Sequence, residues 1–233
     1  MIDSKPAPRL PEKDVADFTR LGQRRHVAKS EYVFQAGEPA SHVYLLESGQ
    51  VKVLRASPSG PHVLVFVRGK GELIGIHEAV LSDGVGTHMC LAQASEDSVL
   101  SAVPMTRFLS FIAERFDTAH YVIRALSFRL EQATDTLASF AATDIGARIA
   151  RVIMHMSVSY GTRVGGTTVE LGVPLTQQEL ADIVGASRQT VNAAIQALKA
   201  ENVITVTKNY IRIEDAHRLE RIARRDRPAT AAD

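Results

Sequence analysis

Cysteine is nearly absent: Cys90 is the only one among 233 residues. A single thiol excludes an intrachain disulfide framework, and with it any all-cysteine zinc or iron–sulfur site within one chain. Long apolar runs are missing too. Those present are short, such as Val63–Val67, against the roughly 20 residues that a bilayer-spanning helix needs. The opening segment MIDSKPAPRLPEKD has no apolar core of the secretory kind. A cytoplasmic location and no membrane partner are therefore expected. Neither sign of charge is in excess, since 27 Lys plus Arg face 26 Asp plus Glu for a net +1. Bulk charge thus argues neither for nor against nucleic acid. One basic cluster, Arg218, Arg221, Arg224, Arg225 and Arg227, stands against Glu220 and Asp226 and reads first as a solvated helix face. Hydrophobic residues at 45%, charged residues at 23%, 15 Gly and 9 Pro describe a globular chain rather than a disordered or collagen-like one. The length allows one large domain or two ordinary ones.

What is present comes in three textures. After a Pro-rich leader (1–26), residues 27–115 carry short strand-like runs broken by glycine: Glu31–Gly37, His42–Gly49, Gln50–Arg55 and His62–Val67. That spacing predicts an all-β roll or barrel, and Ser48-Gly49 reads as a hairpin turn. Residues 116–143 then change to helical period. Ala119, Ile123, Leu126, Leu130, Ala133, Leu137 and Phe140 repeat at alternating four and three residues, the seam of a helix that pairs with another. A parallel homodimer helix is expected, with packing on its own β domain as the competing use of that face, and a hinge near Ala141–Asp144. Residues 144–233 form a third segment, opening with an amphipathic helix from Ile145.

Leu175–Ala200, LTQQELADIVGASRQTVNAAIQALKA, carries most of the information. Thr176 with Glu179 is a capping box that starts a helix. Gly185 suits a sharp turn, and Ser187 caps a second helix with Val191, Ala194, Ile195 and Leu198 on its inner face. This pattern is a helix-turn-helix. Arg188, Gln189, Asn192 and Gln196 share the opposite face, near the end that enters a major groove. Arginine reads guanine and Gln or Asn reads adenine there, each good bidentate pair giving about 1–3 kcal/mol of discrimination. Ser187 and Thr190 join this set at the first turn. Val203–Thr207, Lys208-Asn209 and Tyr210–Ile213 follow as a tight hairpin, a wing whose Lys208 is placed to meet phosphate.

Together these segments resemble the CRP/FNR family of bacterial transcription regulators over roughly residues 27–215. The carrying motifs are Phe34-Gln-Ala-Gly-Glu38, Val43-Tyr-Leu-Leu-Glu-Ser-Gly49 with Val51-Lys-Val53, Gly69-Lys-Gly-Glu-Leu73, Leu175-Thr-Gln-Gln-Glu-Leu-Ala181 and Gly185-Ala-Ser-Arg-Gln-Thr-Val191. The resemblance implies an α+β chain: a cyclic-nucleotide-binding-like β-roll, a long dimerisation helix and a C-terminal winged helix-turn-helix. It implies a homodimer on double-stranded DNA bearing an inverted repeat, with RNA polymerase as a further partner. Arg188 and Gln189 fall where the family reads bases, Thr176 and Gln178 where it touches phosphate. Gln189 stands where many members have Glu, and Ala193 where some carry a further base-reading Arg, so the half-site is expected to differ.

Cyclic-nucleotide-binding members clamp the phosphate with a Glu and an Arg-Ser or Arg-Thr pair. Here Gly71–Thr106 contains no Arg or Lys. Ile76 takes the Glu position, and His88-Met89 the pair. Cyclic AMP is therefore not expected, and no cofactor is assigned. Glu72, His77, His88 and Cys90 are the candidate contacts for an unidentified effector. Haem on His77 and redox chemistry at Cys90 are the alternatives within the family. His88 and Cys90 could share a strand face as base and nucleophile, but no oxyanion-hole glycine motif or phosphate loop accompanies them. An enzyme is not expected. A ligand-binding module without DNA binding is the reading from another class.

Overall fold

The computed structural model describes residues 7–56, 62–81, 86–140 and 144–224. The side chains of 135, 136, 139 and 140, the hinge residues 141–143, and Arg225 and Arg227 lie outside the described residues. The chain divides into two compact units, one of Ala7–Leu130 and one beginning at Glu131.

The first unit runs α1 (Glu12–Arg20), β1 (Gln23–Val27), β2 (Tyr32–Phe34), β3 (His42–Ser48), β4 (Val51–Ala56), β5 (His62–Arg68), β6 (Leu73–Ile74), α2 (Ile76–Leu81), β7 (Leu91–Ala94), β8 (Ser98–Pro104), α3 (Met105–Ala113) and the start of α4 (Phe116–Phe140). Two four-stranded antiparallel sheets, ordered β1-β8-β3-β6 and β2-β7-β4-β5, form the roll. Four consecutive residues of β3, Val43 to Leu46, are buried. Val43 and Leu45 pack with the helix residues Phe18, Phe108 and Tyr121, while Tyr44 and Leu46 face Phe34, Val51 and Ala92 of the other sheet. A strand covered on both faces loses the apolar–polar alternation of an exposed sheet.

The turn at Ser48-Gly49 does not make a hairpin. β3 pairs with β8 and β6, whereas β4 pairs with β5 and β7, so the chain changes sheets there. Gly49 has φ +85°, and a Cβ on it would come within 2.3 Å of Ser98 Oγ. A glycine between two strand-like runs marks a corner but does not name the strand's partner.

The described part of the segment read as a leader contributes α1 and all of β1 but its last residue, Val27. Phe18 stacks edge-on against Phe108 and Phe111, with ring centroids 6.2 and 6.1 Å apart. Buried Asp14 accepts from the Thr118 hydroxyl at 3.0 Å and pairs with Arg115 at 3.3 Å. Arg115 also reaches Asp17 at 2.7 Å. The helix has nine residues and only Val15 and Phe18 as large apolar ones, too few to register as a periodic face.

Helix α4 is held to the first unit mainly by residues that lie between the positions of the expected seam. Tyr121, Val122 and Ala125 are buried within the first unit, with Leu126 packed at the edge. Ile123, Leu130 and Leu137, at seven-residue intervals, are 61%, 66% and 66% exposed. Ala119 and Ala133 are half-buried, and the Phe140 side chain lies outside the described residues.

The second unit contains the end of α4, then α5 (Ile145–Tyr160), β9 (Gly161–Gly165), β10 (Thr168–Leu171), α6 (Gln177–Val184), α7 (Arg188–Ala200), β11 (Ile204–Thr207), β12 (Tyr210–Ile213) and α8 (Ala216–Ala223). The Asp144 carboxylate caps α5 by accepting from Gly146 N at 2.8 Å. A third antiparallel sheet is ordered β11-β12-β10-β9. Ile149, Ile153, Leu180, Val184, Val191, Ile195, Leu198, Leu219 and Ile222 are buried in this unit. Arg148 donates to Val184 O at 3.0 Å and Arg151 to Ala223 O at 2.8 Å, so cations from α5 meet the carbonyl ends of α6 and α8. Among the described residues, no helix is long and apolar enough to cross a membrane.

Candidate nucleic-acid interface

Two short helices position the reading face, and both starts are fixed by side-chain caps. Thr176 Oγ1 accepts from Glu179 N at 3.2 Å, while Glu179 Oε2 accepts from Thr176 N at 2.8 Å. The helix ends at Gly185, φ 65° and ψ 44°, with its N–H on Ala181 O. A left-handed residue there turns the chain into α7 within three residues. Gly185→Ala is expected to cost about 1 kcal/mol from that conformation alone, read as a lower urea midpoint for the second unit. Ser187 caps α7 by accepting from Thr190 N at 3.1 Å, and the two hydroxyls lie 2.8 Å apart.

The inner face of α7 is buried at Val191, Ile195 and Leu198, which leaves Arg188, Gln189, Asn192 and Gln196 exposed. The side chains of Arg188 and Gln189 make no hydrogen bond or ion pair among the described residues. Their donors and acceptors are held in water at the N-terminal turn, open to a ligand. Other predicted contacts are already engaged within the unit. The Gln178 amide donates to Asp182 Oδ1 at 2.8 Å. Ser187 and Thr190 hold each other. The Asn192 side-chain oxygen accepts from Gln177 Nε2 at 2.9 Å and from Gln196 Nε2 at 3.5 Å. Gln177 was not among the residues singled out from sequence. It occupies the first helical position of the capping box, and only the crossing of α6 and α7 brings it to Asn192.

The wing is a two-residue hairpin. Thr207 pairs with Tyr210, and Lys208 and Asn209 have φ of 50° and 70°, both left-handed as a type I′ turn demands. Lys208 is exposed at the tip. Asn209 O accepts from Leu175 N at 2.8 Å, which ties the wing to the entrance of α6. The C-terminal basic cluster is largely paired where described: Arg218 meets Glu201 at 2.8 Å and Arg224 meets Glu220 at 2.6 Å, the arrangement of a solvated face.

The candidate effector residues of the first unit do not converge. His77 is exposed on α2. His88 is buried, stacked on Phe34 with centroids 3.6 Å apart, and its Nδ1 lies 3.4 Å from Glu78 Oε1. Burial pushes the Glu78 carboxyl up, but the His88 imidazole and backbone N–H donors together outweigh it and hold the group below its ordinary value. Burial pushes the half-buried Cys90 thiol up, away from the reactive thiolate. Glu72 is buried and 3.5 Å from the buried Arg68, and it accepts from Gly69 N at 2.8 Å. Arg68 lies just before the cation-free stretch that begins at Gly71. Beyond that stretch, Arg129 on α4 donates to Leu73 O. Tyr121, which accepts from Leu73 N at 3.2 Å, has its hydroxyl pushed up to about 12 by burial. Ile76 is buried, and Met89 is 49% exposed. Neither Ile76 nor the His88-Met89 pair supplies a carboxylate or a guanidinium.

The chain matches the cyclic nucleotide-binding domain over residues 24–115 and the Crp-like helix-turn-helix domain over residues 147–222. It is 31% identical over 212 residues to the CRP-like cAMP-activated global transcriptional regulator of Mycobacterium tuberculosis, spanning 90% of this chain and 92% of that one. It is 30% identical to the cyclic AMP receptor protein of Thermus thermophilus, over 86% of this chain and 88% of the relative. Among solved structures, FixK2 from Bradyrhizobium japonicum superposes with a TM-score of 0.73 at 19% identity, covering 91% of this chain and 99% of that chain. A capped two-helix reader with a wing, carried behind a β-roll and supported by these likenesses, places the chain in the CRP/FNR family of DNA-binding transcription regulators.

Proposed function

We propose that the chain acts as a cytoplasmic homodimer that binds an inverted-repeat operator and does so without cyclic AMP. The observation that carries the proposal is the pair Arg188 and Gln189, exposed and uncommitted at the capped end of α7. The exposed apolar stripe Ile123, Leu130 and Leu137 supports pairing of two α4 helices. Such pairing would present two α7 helices to half-sites about one DNA turn (~34 Å) apart. RNA polymerase would be the partner through which promoter position becomes activation or repression.

Two relatives carry cyclic AMP in their names. Here a buried Ile76 and a His88 turned to Glu78 supply neither the acid nor the cation that an anionic phosphate requires in a partly buried pocket. Exposed His77 and a thiol pushed away from its anion favour neither haem nor redox sensing. Nor is catalysis part of the proposal, since His88 is sealed against Phe34 and Glu78.

Arg188→Ala tests the reading. Losing one bidentate base contact in each half-site is expected to weaken operator binding by about 2–6 kcal/mol per dimer, while salt-dependent binding to random duplex changes far less. Fluorescence anisotropy against operator and random competitor measures both. An unchanged ratio of the two affinities would remove α7 from base reading.

A further inference from the structure

Asparagine in a major groove ordinarily reads adenine because its amide offers one acceptor and one donor side by side, matching N6–H and N7. Asn192 is not free to do this. Gln177, from α6, donates to its Oδ1 at 2.9 Å, and Gln196, one turn along α7, donates to the same oxygen at 3.5 Å. With both donors on one oxygen, the Asn192 amide cannot reverse by itself without placing NH₂ against NH₂; it reverses only if the Gln177 and Gln196 amides turn with it. The oxygen is thus turned toward its protein neighbours, and the two Nδ2 hydrogens are the groups left to face a base. Asn192 sits on the exposed face of α7 one turn beyond Arg188, so the edge it meets is offered donors and no acceptor.

We infer that Gln177 is a specificity-determining residue: it holds the Asn192 amide so that the half-site carries an acceptor edge, guanine O6/N7 or thymine O4, on the strand that Asn192 meets. Adenine presents N6–H₂ beside its one acceptor N7, and cytosine presents only N4–H₂. Either would set a donor against the Asn192 donors, with Oδ1 withheld, and leave polar hydrogens unpaired in a closed interface. Guanine is favoured most because both of its acceptors lie on one base. Gln177 acts through Asn192 and is a positioning residue. The inference rests on the proposed DNA-reading role of α7.

The test uses full-length protein and the operator recovered by selection from random duplexes. The base pair that faces Asn192 is the one whose preference flattens in Asn192→Ala. That pair is varied through all four bases in competition binding. The parent protein is expected to prefer guanine or thymine over adenine and cytosine by about 5- to 150-fold per half-site. Gln177→Ala frees Oδ1 and is expected to admit adenine, shrinking the discrimination at this pair while the others stay as they were. Gln177→Glu goes further, because a carboxylate only accepts. It would draw the Asn192 NH₂ to itself and turn Oδ1 to the groove, moving the preference toward adenine or cytosine. In an Asn192→Ala background neither substitution is expected to alter the base preference. A merely structural role for Gln177 would lower affinity and thermal midpoint across all sequences and leave the preference at this pair intact, and that result overturns the inference. A parent preference for adenine at the pair overturns it as well. If selection enriches no repeat at all, the underlying reading fails, which is distinct from a repeat that is enriched but indifferent to Gln177.

Discussion

A protein carrying Leu130→Glu is expected to sediment as a monomer and to bind an inverted-repeat operator about 10²- to 10⁴-fold more weakly than the parent. The reason lies in the two faces of α4. Tyr121, Val122 and Ala125 are buried within the first unit, so the helix is held whether or not it meets a partner. Ile123, Leu130 and Leu137 lie on another face, each more than 60% exposed and spaced by seven residues, the interval at which two helices wound about each other repeat a contact. Large apolar side chains rarely form a regular exposed row without something to cover it. In a symmetric pair the substitution would place two carboxylates at one contact. Because Leu130 points away from the core, the first unit's thermal transition should barely move. The loss in DNA binding then reflects half-sites bound singly, without the effective concentration that pairing provides. A variant that remains a dimer at micromolar concentration would dismiss this stripe as the interface.

The second large effect concerns stability. Arg68 and Glu72 have side chains only 3% and 7% exposed and lie 3.5 Å apart. Arg68 also stacks over Phe66 at 4.4 Å, and its Nη2 has no hydrogen-bond partner among the described residues. Glu72→Gln keeps the shape and an oxygen for Gly69 N, but it strands the guanidinium charge. Removing one partner of a buried pair typically costs about 3–5 kcal/mol, and a loss of that size is expected in the urea midpoint of the first unit. Replacing both, Arg68→Met with Glu72→Gln, should recover much of the loss, because no uncompensated charge remains. A single variant within 1 kcal/mol of the parent would mean that Arg68 finds its compensation elsewhere.

Which parts of this molecule were legible follows from the range of the forces involved. The helix-turn-helix was readable because its signals are local. The Thr176–Glu179 capping box, the left-handed Gly185, the Ser187 cap and the apolar stripe of α7 all lie within a few residues of what they specify. The wing turn at Lys208-Asn209 was readable for the same reason. Strand pairing is not local, so Gly49 was visible as a turn but the separation of β3 from β4 into different sheets was not. Helix α1 escaped because its anchoring is done from far along the chain, by Thr118 and Arg115 on Asp14 and by Phe108 and Phe111 on Phe18. The heptad on α4 was seen as one seam, yet the residues that hold the helix to the roll, Tyr121, Val122 and Ala125, lie between its positions. In the sensor, the stretch Gly71–Thr106 holds no cation of its own, yet the fold brings Arg68 and Arg129 to Glu72 and Leu73 from either side of it.

The measurement that bears most directly on the central claim is selection of bound sequences from random duplex DNA by the purified protein, run with and without cyclic AMP. The account predicts one enriched inverted repeat, its half-sites centred about 10 base pairs apart, recovered equally well under both conditions. Salt-sensitive binding with no enriched sequence, or a repeat that emerges only when cyclic AMP is present, would contradict it.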